Sequence, residues 1–149
     1  LAGVDMQHIP YQGAGPALVD VISGQVPIIF DNLPTASGYI RSGKLKALGV
    51  TTLNRAPSFP DLPAVAETLP GYETYSWNAL FAPAGTPPAI VAKLNQAANK
   101  ALATPKVQSR LADFSAVSVG STPEELEAHV KAELAKWAPI VKASGAKVD

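Results

Sequence analysis

Cysteine is absent from the 149 residues, which removes disulfides, thiolate metal sites and cysteine nucleophiles together. Charge is scarce: Asp, Glu, Lys and Arg make up 16% of the chain, twelve basic residues against twelve acidic. Arginine occurs only at positions 41, 55 and 110 and the lysines are scattered, which argues against a nucleic-acid footprint. Hydrophobic residues at 47% with zero net charge exclude intrinsic disorder. No apolar run reaches the roughly 20 residues that a membrane-spanning helix needs. The opening Leu1-Ala2-Gly3-Val4-Asp5 has neither an initiator methionine nor the basic start of a signal peptide,. The expectation is a fragment of a longer chain, opening close to a strand. A complete domain of this length would bury roughly 70% of the surface of its unfolded chain.

Proline (14) and glycine (11) are plentiful and fall at element boundaries. Val4 to Tyr11 reads as a strand, followed by the turn Gly13-Ala14-Gly15-Pro16. A helix from Pro16 carries Leu18, Val21 and Ile22 and stops at Gly24. Val26 to Phe30 has the β-branched and aromatic composition of a strand buried on both faces. Pro34-Thr35 opens a short helix that Gly43 stops, and Leu45 to Thr52 is a third strand. The β-α-β-α-β order predicts a parallel sheet with right-handed crossovers.

From Asn54 to Gly71 the chain is Pro-rich loop with one helical turn at Ala64 to Thr68. Further extended stretches are expected at Tyr72 to Trp77, Ala79 to Ala82 and Ala116 to Val119. Thr86 reads as the N-cap of a helix with Ile90, Val91, Leu94, Ala98 and Leu102 on one face. A break at Thr104-Pro105 leads into one or two turns ending near Ala112. Thr122-Pro123-Glu124-Glu125 is a capping box with proline at the first helical position. Leu126, Val130, Leu134, Trp137 and Val141 mark the expected buried face of the final helix.

No catalytic constellation assembles from these residues. His8 reads as a partly buried strand imidazole, and His129 lies among Glu127, Lys131 and Glu133 on a solvated helix face. Neither belongs to a cluster with metal-ligand spacing. Around Ser37 the glycine positions of a nucleophile elbow hold Thr35 and Tyr39. No cofactor is implied, since Gly13-Ala14-Gly15-Pro16 lacks the last glycine of a dinucleotide fingerprint and no P-loop lysine follows. That turn is either a plain helix start or a set of free N–H groups that hold a small carboxylate. Asp31-Asn32 ends a strand, on the edge where parallel sheets present their crevice; Asp31 alternatively caps the next helix. Tyr11, at another strand end, suits a binding wall or the core. Trp137 reads as core, and Trp77 stands where the chain leaves one part for another.

The runs His8-Ile9-Pro10-Tyr11-Gln12-Gly13, Pro16-Ala17-Leu18-Val19-Asp20, Gly24-Gln25-Val26 and Phe30-Asp31-Asn32 resemble the second domain of Bug-type receptors. These are the periplasmic solute-binding proteins of tripartite tricarboxylate transporters. Gly43 to Thr51, Arg55-Ala56-Pro57, Pro60-Asp61-Leu62-Pro63, Ala66-Glu67, Pro70-Gly71-Tyr72-Glu73, Ala82 to Pro87, Thr122 to Glu125 and Trp137 to Asp149 continue the likeness in order. Two local departures stand out: Ala64 replaces a usual Thr, and the segment before Pro70 looks a residue short.

The resemblance implies an α/β, type II periplasmic-binding-protein-like fold, a parallel-rich sheet with flanking helices, here partial because the first lobe is missing. It implies a receptor that binds a small carboxylate (dicarboxylate, tricarboxylate, acidic amino acid or aromatic acid) and delivers it to a membrane permease. Residues 1–77 would form part of the second ligand-binding lobe. Residues 78–149 would be the crossover and C-terminal helices that pack on the first lobe. Tyr11, Gly13, Ala14, Asp31 and Asn32 are the expected ligand-binding residues, with no catalytic or metal site. A fragment of this kind is expected to pair as a homodimer or to retain its N-terminal half. The competing reading is an effector-binding or enzyme module on the same architecture.

Overall fold

Glycine and proline punctuation sets the helices of this chain. The computed structural model describes residues 3–145, so the expected start at residues 1–2 and the C-terminal part of the resemblance at 146–149 lie outside the described residues. Helix α1 spans Ala14–Ile22 and α2 spans Leu33–Arg41. Gly24 (φ 81°) and Gly43 (φ 74°) follow them in left-handed conformation, as helix stops require. A 3-10 turn at Val65–Glu67 sits in the Pro-rich segment, followed by α3 (Pro88–Leu102), α4 (Pro105–Asp113) and α5 (Pro123–Ser144). Two starts differ from expectation. Helix α1 begins at Ala14, two residues before Pro16. Helix α3 is preceded by Pro87 rather than Thr86, because Thr86 is spent on the preceding turn: both its N–H and its hydroxyl donate to the Pro83 carbonyl, at 3.2 and 2.8 Å.

The strands are corrected more strongly. Among the described residues the ladder contact is a single parallel bridge between Val50 and Ala64. Val50 N–H donates to Pro63 O and Val65 N–H donates to Val50 O, both at 2.9 Å, while Thr74 N–H reaches Thr51 O at 2.9 Å. Gly49 permits this approach, since a Cβ there would stand 3.0 Å from Pro63 O. The parallel pair expected between Val4–Tyr11 and Val26–Phe30 is not formed; both runs lie outside helices and strands. Val4 is 66% exposed and Phe30 63%, so the run read as buried on both faces lacks a covering layer. An apolar pattern records what a segment can bury, and a second surface has to be present for burial to happen.

The chain divides into two units: Leu1–Trp77 with Ser109–Val117, and Asn78–Gln108 with Ser118–Asp149. In the first, the buried hydrophobic residues are Ala17, Leu18, Ala36, Val50 and Ala64, small residues for the most part. The Arg55 guanidinium clasps Glu67 through two bonds, Nε to Oε1 and Nη2 to Oε2, each 2.8 Å. Arg55 Nη1 also donates to Pro60 O at 3.3 Å, and Glu67 Oε1 accepts the Ala64 N–H at 2.9 Å. These bonds tie the Pro-rich segment to its 3-10 turn. The Arg41 guanidinium lies 5.3 Å from the centre of the Phe59 ring, adding a contact from the end of α2.

In the second unit α3 and α5 touch. Asn95 and Asn99 both donate to Ser121 O, at 2.8 and 3.0 Å, which anchors the approach to α5. The capping box expected there forms: Glu125 N–H donates to Thr122 Oγ1 at 3.2 Å, and Thr122 N–H donates to the Glu125 carboxylate at 2.8 Å. The apolar stripe of α5 is only partly covered. Leu126, Val130 and Trp137 are half-buried, but Leu134 is exposed, as are Val141 and, on α3, Ile90 and Leu94.

Two outcomes follow from these contacts. Replacing Thr122 with Ala should lower stability by about 1 kcal/mol, measured as a shift in the urea midpoint. The Arg55 bonds, with the Ala64 N–H, hold the Glu67 carboxyl down from 4.5 to about 2. A depressed carboxyl adds stability above its unfolded value and loses it as pH falls towards the folded one. Acid titration should therefore show a stability loss between pH 4.5 and about 2 that Glu67→Gln lacks, with the Glu67 side-chain NMR shift of the folded chain titrating at the lower end, about 2.

Candidate functional site

Helix α1 starts without a side-chain cap, from Gly13 at φ 103° and ψ 173°. That backbone geometry suits glycine and strains any other residue. Among the described residues, the N–H groups of Ala14 and Gly15 have no acceptor, and Pro16 contributes none. Two donors at a helix start, with the positive end of the dipole behind them, make a place for an anionic oxygen. Nothing stands within 4 Å of a Cβ built on Gly13, so the turn is open.

Tyr11, two residues upstream, is half-buried. Its hydroxyl donates to Asp20 Oδ2 at 2.6 Å, in the last turn of α1. That bond, with lesser contributions from burial and the nearby negative charge, raises the Tyr11 phenol above its ordinary 10. Asp20 carries a second load through its backbone: its carbonyl accepts Gln25 N–H at 2.8 Å, Val26 N–H at 3.3 Å and the Ser23 hydroxyl at 3.1 Å.

Asp31 and Asn32 stand at the start of α2. Asn32 is its N-cap residue, but makes no side-chain cap bond; its carbonyl accepts Thr35 N–H and Ala36 N–H at 3.0 and 3.1 Å, and the Thr35 hydroxyl oxygen lies 2.7 Å from it. The Asp31 carboxylate accepts the Thr35 hydroxyl at 2.5 Å instead of capping backbone N–H groups. Thus Tyr11, Gly13 and Ala14 share the start of α1, and Asp31 and Asn32 share the start of α2. Among the described residues no hydrogen bond joins the two sets.

Other singled-out residues lie elsewhere. His8 is exposed rather than partly buried, because the expected neighbouring strands do not pair around it. His129 is half-buried on α5 rather than fully solvated. Trp137 is half-buried, and its indole donates to Glu133 at 2.9 Å. Trp77 is 37% exposed. A cavity of about 610 Å³ opens in the second unit, lined by Thr86, Val91, Asn95, Thr122 and Glu124 among others; its Glu124 carboxylate opposes an anion. Asp20 and the Arg55–Glu67 pair were missed by sequence reasoning, and separations of nine and twelve residues across turns leave no periodic signal that could have found them.

The model of the family described as "Tripartite tricarboxylate transporter family receptor" matches residues 1–146. A UPF0065 protein from the clcB-clcD intergenic region of Pseudomonas knackmussii is 41% identical over 142 residues, 94% of this chain and 84% of that protein. Protein BugT of Bordetella pertussis is 37% identical over 147 residues, 98% of this chain and 45% of its own length. The R. palustris protein Rpa4515, solved with adipate, superposes with a TM-score of 0.86 at 38% identity, covering 96% of this chain and 48% of that one. MatC of Rhodopseudomonas palustris, solved with malate, gives 0.76 at 38% identity, covering 93% and 48%. The chain thus spans about half the length of these solved structures, and its fold is part of a periplasmic-binding-protein architecture. A family match over nearly the whole sequence, joined to these identities, establishes that the chain belongs to the tripartite tricarboxylate transporter family of receptors.

Proposed function

We propose that the chain is the solute-binding part of an extracytoplasmic receptor that holds a small carboxylate in the periplasm for delivery to a membrane permease. The observation that carries this reading is the uncapped start of α1, where the N–H groups of Ala14 and Gly15 have no acceptor. With three arginines in the chain, backbone dipoles are the natural means of holding an acid. Relatives solved with adipate and malate support the ligand class. Tyr11, Gly13, Ala14, Asp31 and Asn32 line the solute's side of the second lobe in this reading. Asp31 faces a protonated or ammonium group, or a water, rather than the carboxylate itself. In this reading the receptor binds its solute without turnover.

Residues 1–77 serve as second-lobe elements, and the helices of 78–149 pack on the first lobe. In a lone chain, a second copy covers the exposed faces of α3 and α5. The support is the exposed Ile90 and Leu94 on α3 and Leu134 and Val141 on α5. Light scattering should return twice the chain mass at micromolar concentration; a monomer throughout would remove the homodimer.

Calorimetry with malate and adipate tests the receptor reading. Wild-type chain should bind at least one of them, and Gly13→Val should weaken binding more than about tenfold, because a branched residue at φ 103° costs of order 1–3 kcal/mol in strain and shields the N–H groups. Unchanged affinity in that variant would place the solute elsewhere.

A further inference from the structure

Tyr11 and Asp20 form the only side-chain bond described between the segment entering α1 and the helix itself. Its geometry is informative. Gly13 is the N-cap of α1 and Asp20 lies in its last turn, so the Tyr11 side chain runs beside the helix and its hydroxyl proton is held near the end opposite the free N–H groups. The phenol therefore has no proton to offer a carboxylate at the start of α1. What the bond supplies instead is constraint: with Tyr11 clamped to the helix body, the two residues Gln12 and Gly13 must cross the short gap in one conformation. Gly13, the most permissive residue of the turn, otherwise leaves the first N–H groups free to wander. Clamping them beforehand removes an ordering cost from binding.

We propose that Asp20 is a positioning residue of the solute site, acting through the Tyr11 hydroxyl to hold the Tyr11–Gly13 turn so that the Ala14 and Gly15 N–H groups stay aligned for a solute carboxylate. The inference rests on the receptor reading and adds to it a residue that never touches the solute. The half-buried setting of both partners strengthens a charge-assisted bond over one in open water. The backbone carbonyl of Asp20 serves the Ser23–Val26 turn, and every side-chain substitution keeps that carbonyl.

The test uses the full chain and four variants: Tyr11→Phe, Asp20→Ala, Asp20→Asn and the double Tyr11→Phe/Asp20→Ala. Phenolate absorbance, taken as the difference from Tyr11→Phe, reports the bond without any solute. Tyr11 should titrate above the ordinary tyrosine range in wild type and return towards it in Asp20→Ala; an ordinary titration in wild type would overturn the clamp. Calorimetry with malate and adipate then reads the consequence. Tyr11→Phe and Asp20→Ala should each weaken binding by about five- to tenfold, the double variant no further, and Asp20→Asn, whose amide oxygen still accepts, should retain most of the affinity. Helical circular dichroism equal to wild type shows that α1 is intact in each. Wild-type affinity in Tyr11→Phe overturns the positioning role and leaves the receptor standing. If wild-type chain binds neither acid while the phenol still titrates high, the receptor reading falls and the positioning role with it.

Discussion

The first unit hangs on Asp20. Its carboxylate takes the Tyr11 hydroxyl from the segment before α1, and its carbonyl takes three donors from the turn after it. One residue therefore fixes how the chain enters the helix and how it leaves towards Val26. Both connections of α1 are thus set at a single residue.

Arginine occurs three times in the chain. Helix starts supply partial positive charge without a titratable group, and therefore without the desolvation cost of an ion. The starts of α1 and α2 differ in this respect. At α2 the Asn32 carbonyl and the Thr35 hydroxyl close a local network with the Asp31 carboxylate, which makes that end acidic. At α1 no side chain intervenes.

The second unit shows how a helix can be well specified and still poorly covered. Helix α5 is begun by its capping box, two reciprocal bonds within four residues, and supported by the Lys131–Glu127 pair at 2.6 Å. None of its described residues is buried. Local bonds decide where such a helix starts, whereas tertiary burial contributes most of its stability. The exposed apolar stripe leaves that burial incomplete among the described residues.

The sequence by itself determined what depends on neighbours along the chain. Gly24 and Gly43 stop helices, Pro123 and Thr122 begin one, and the order of motifs from His8 to Trp137 identifies the family, because turn and cap chemistry acts within four residues. Pairing at a distance was left to tertiary structure. Val26 to Phe30 has a strand's composition but no ladder, since pairing requires a partner backbone that composition cannot provide. Ala64 shows both levels at once: it lacks a capping hydroxyl, yet the Glu67 carboxylate takes its N–H while Arg55 clasps that carboxylate from twelve residues away. The Gly13 turn was legible as a helix start; that Tyr11 would turn from it to Asp20 was decided only when the folded chain laid the ring beside the helix, within reach of a carboxylate nine residues on.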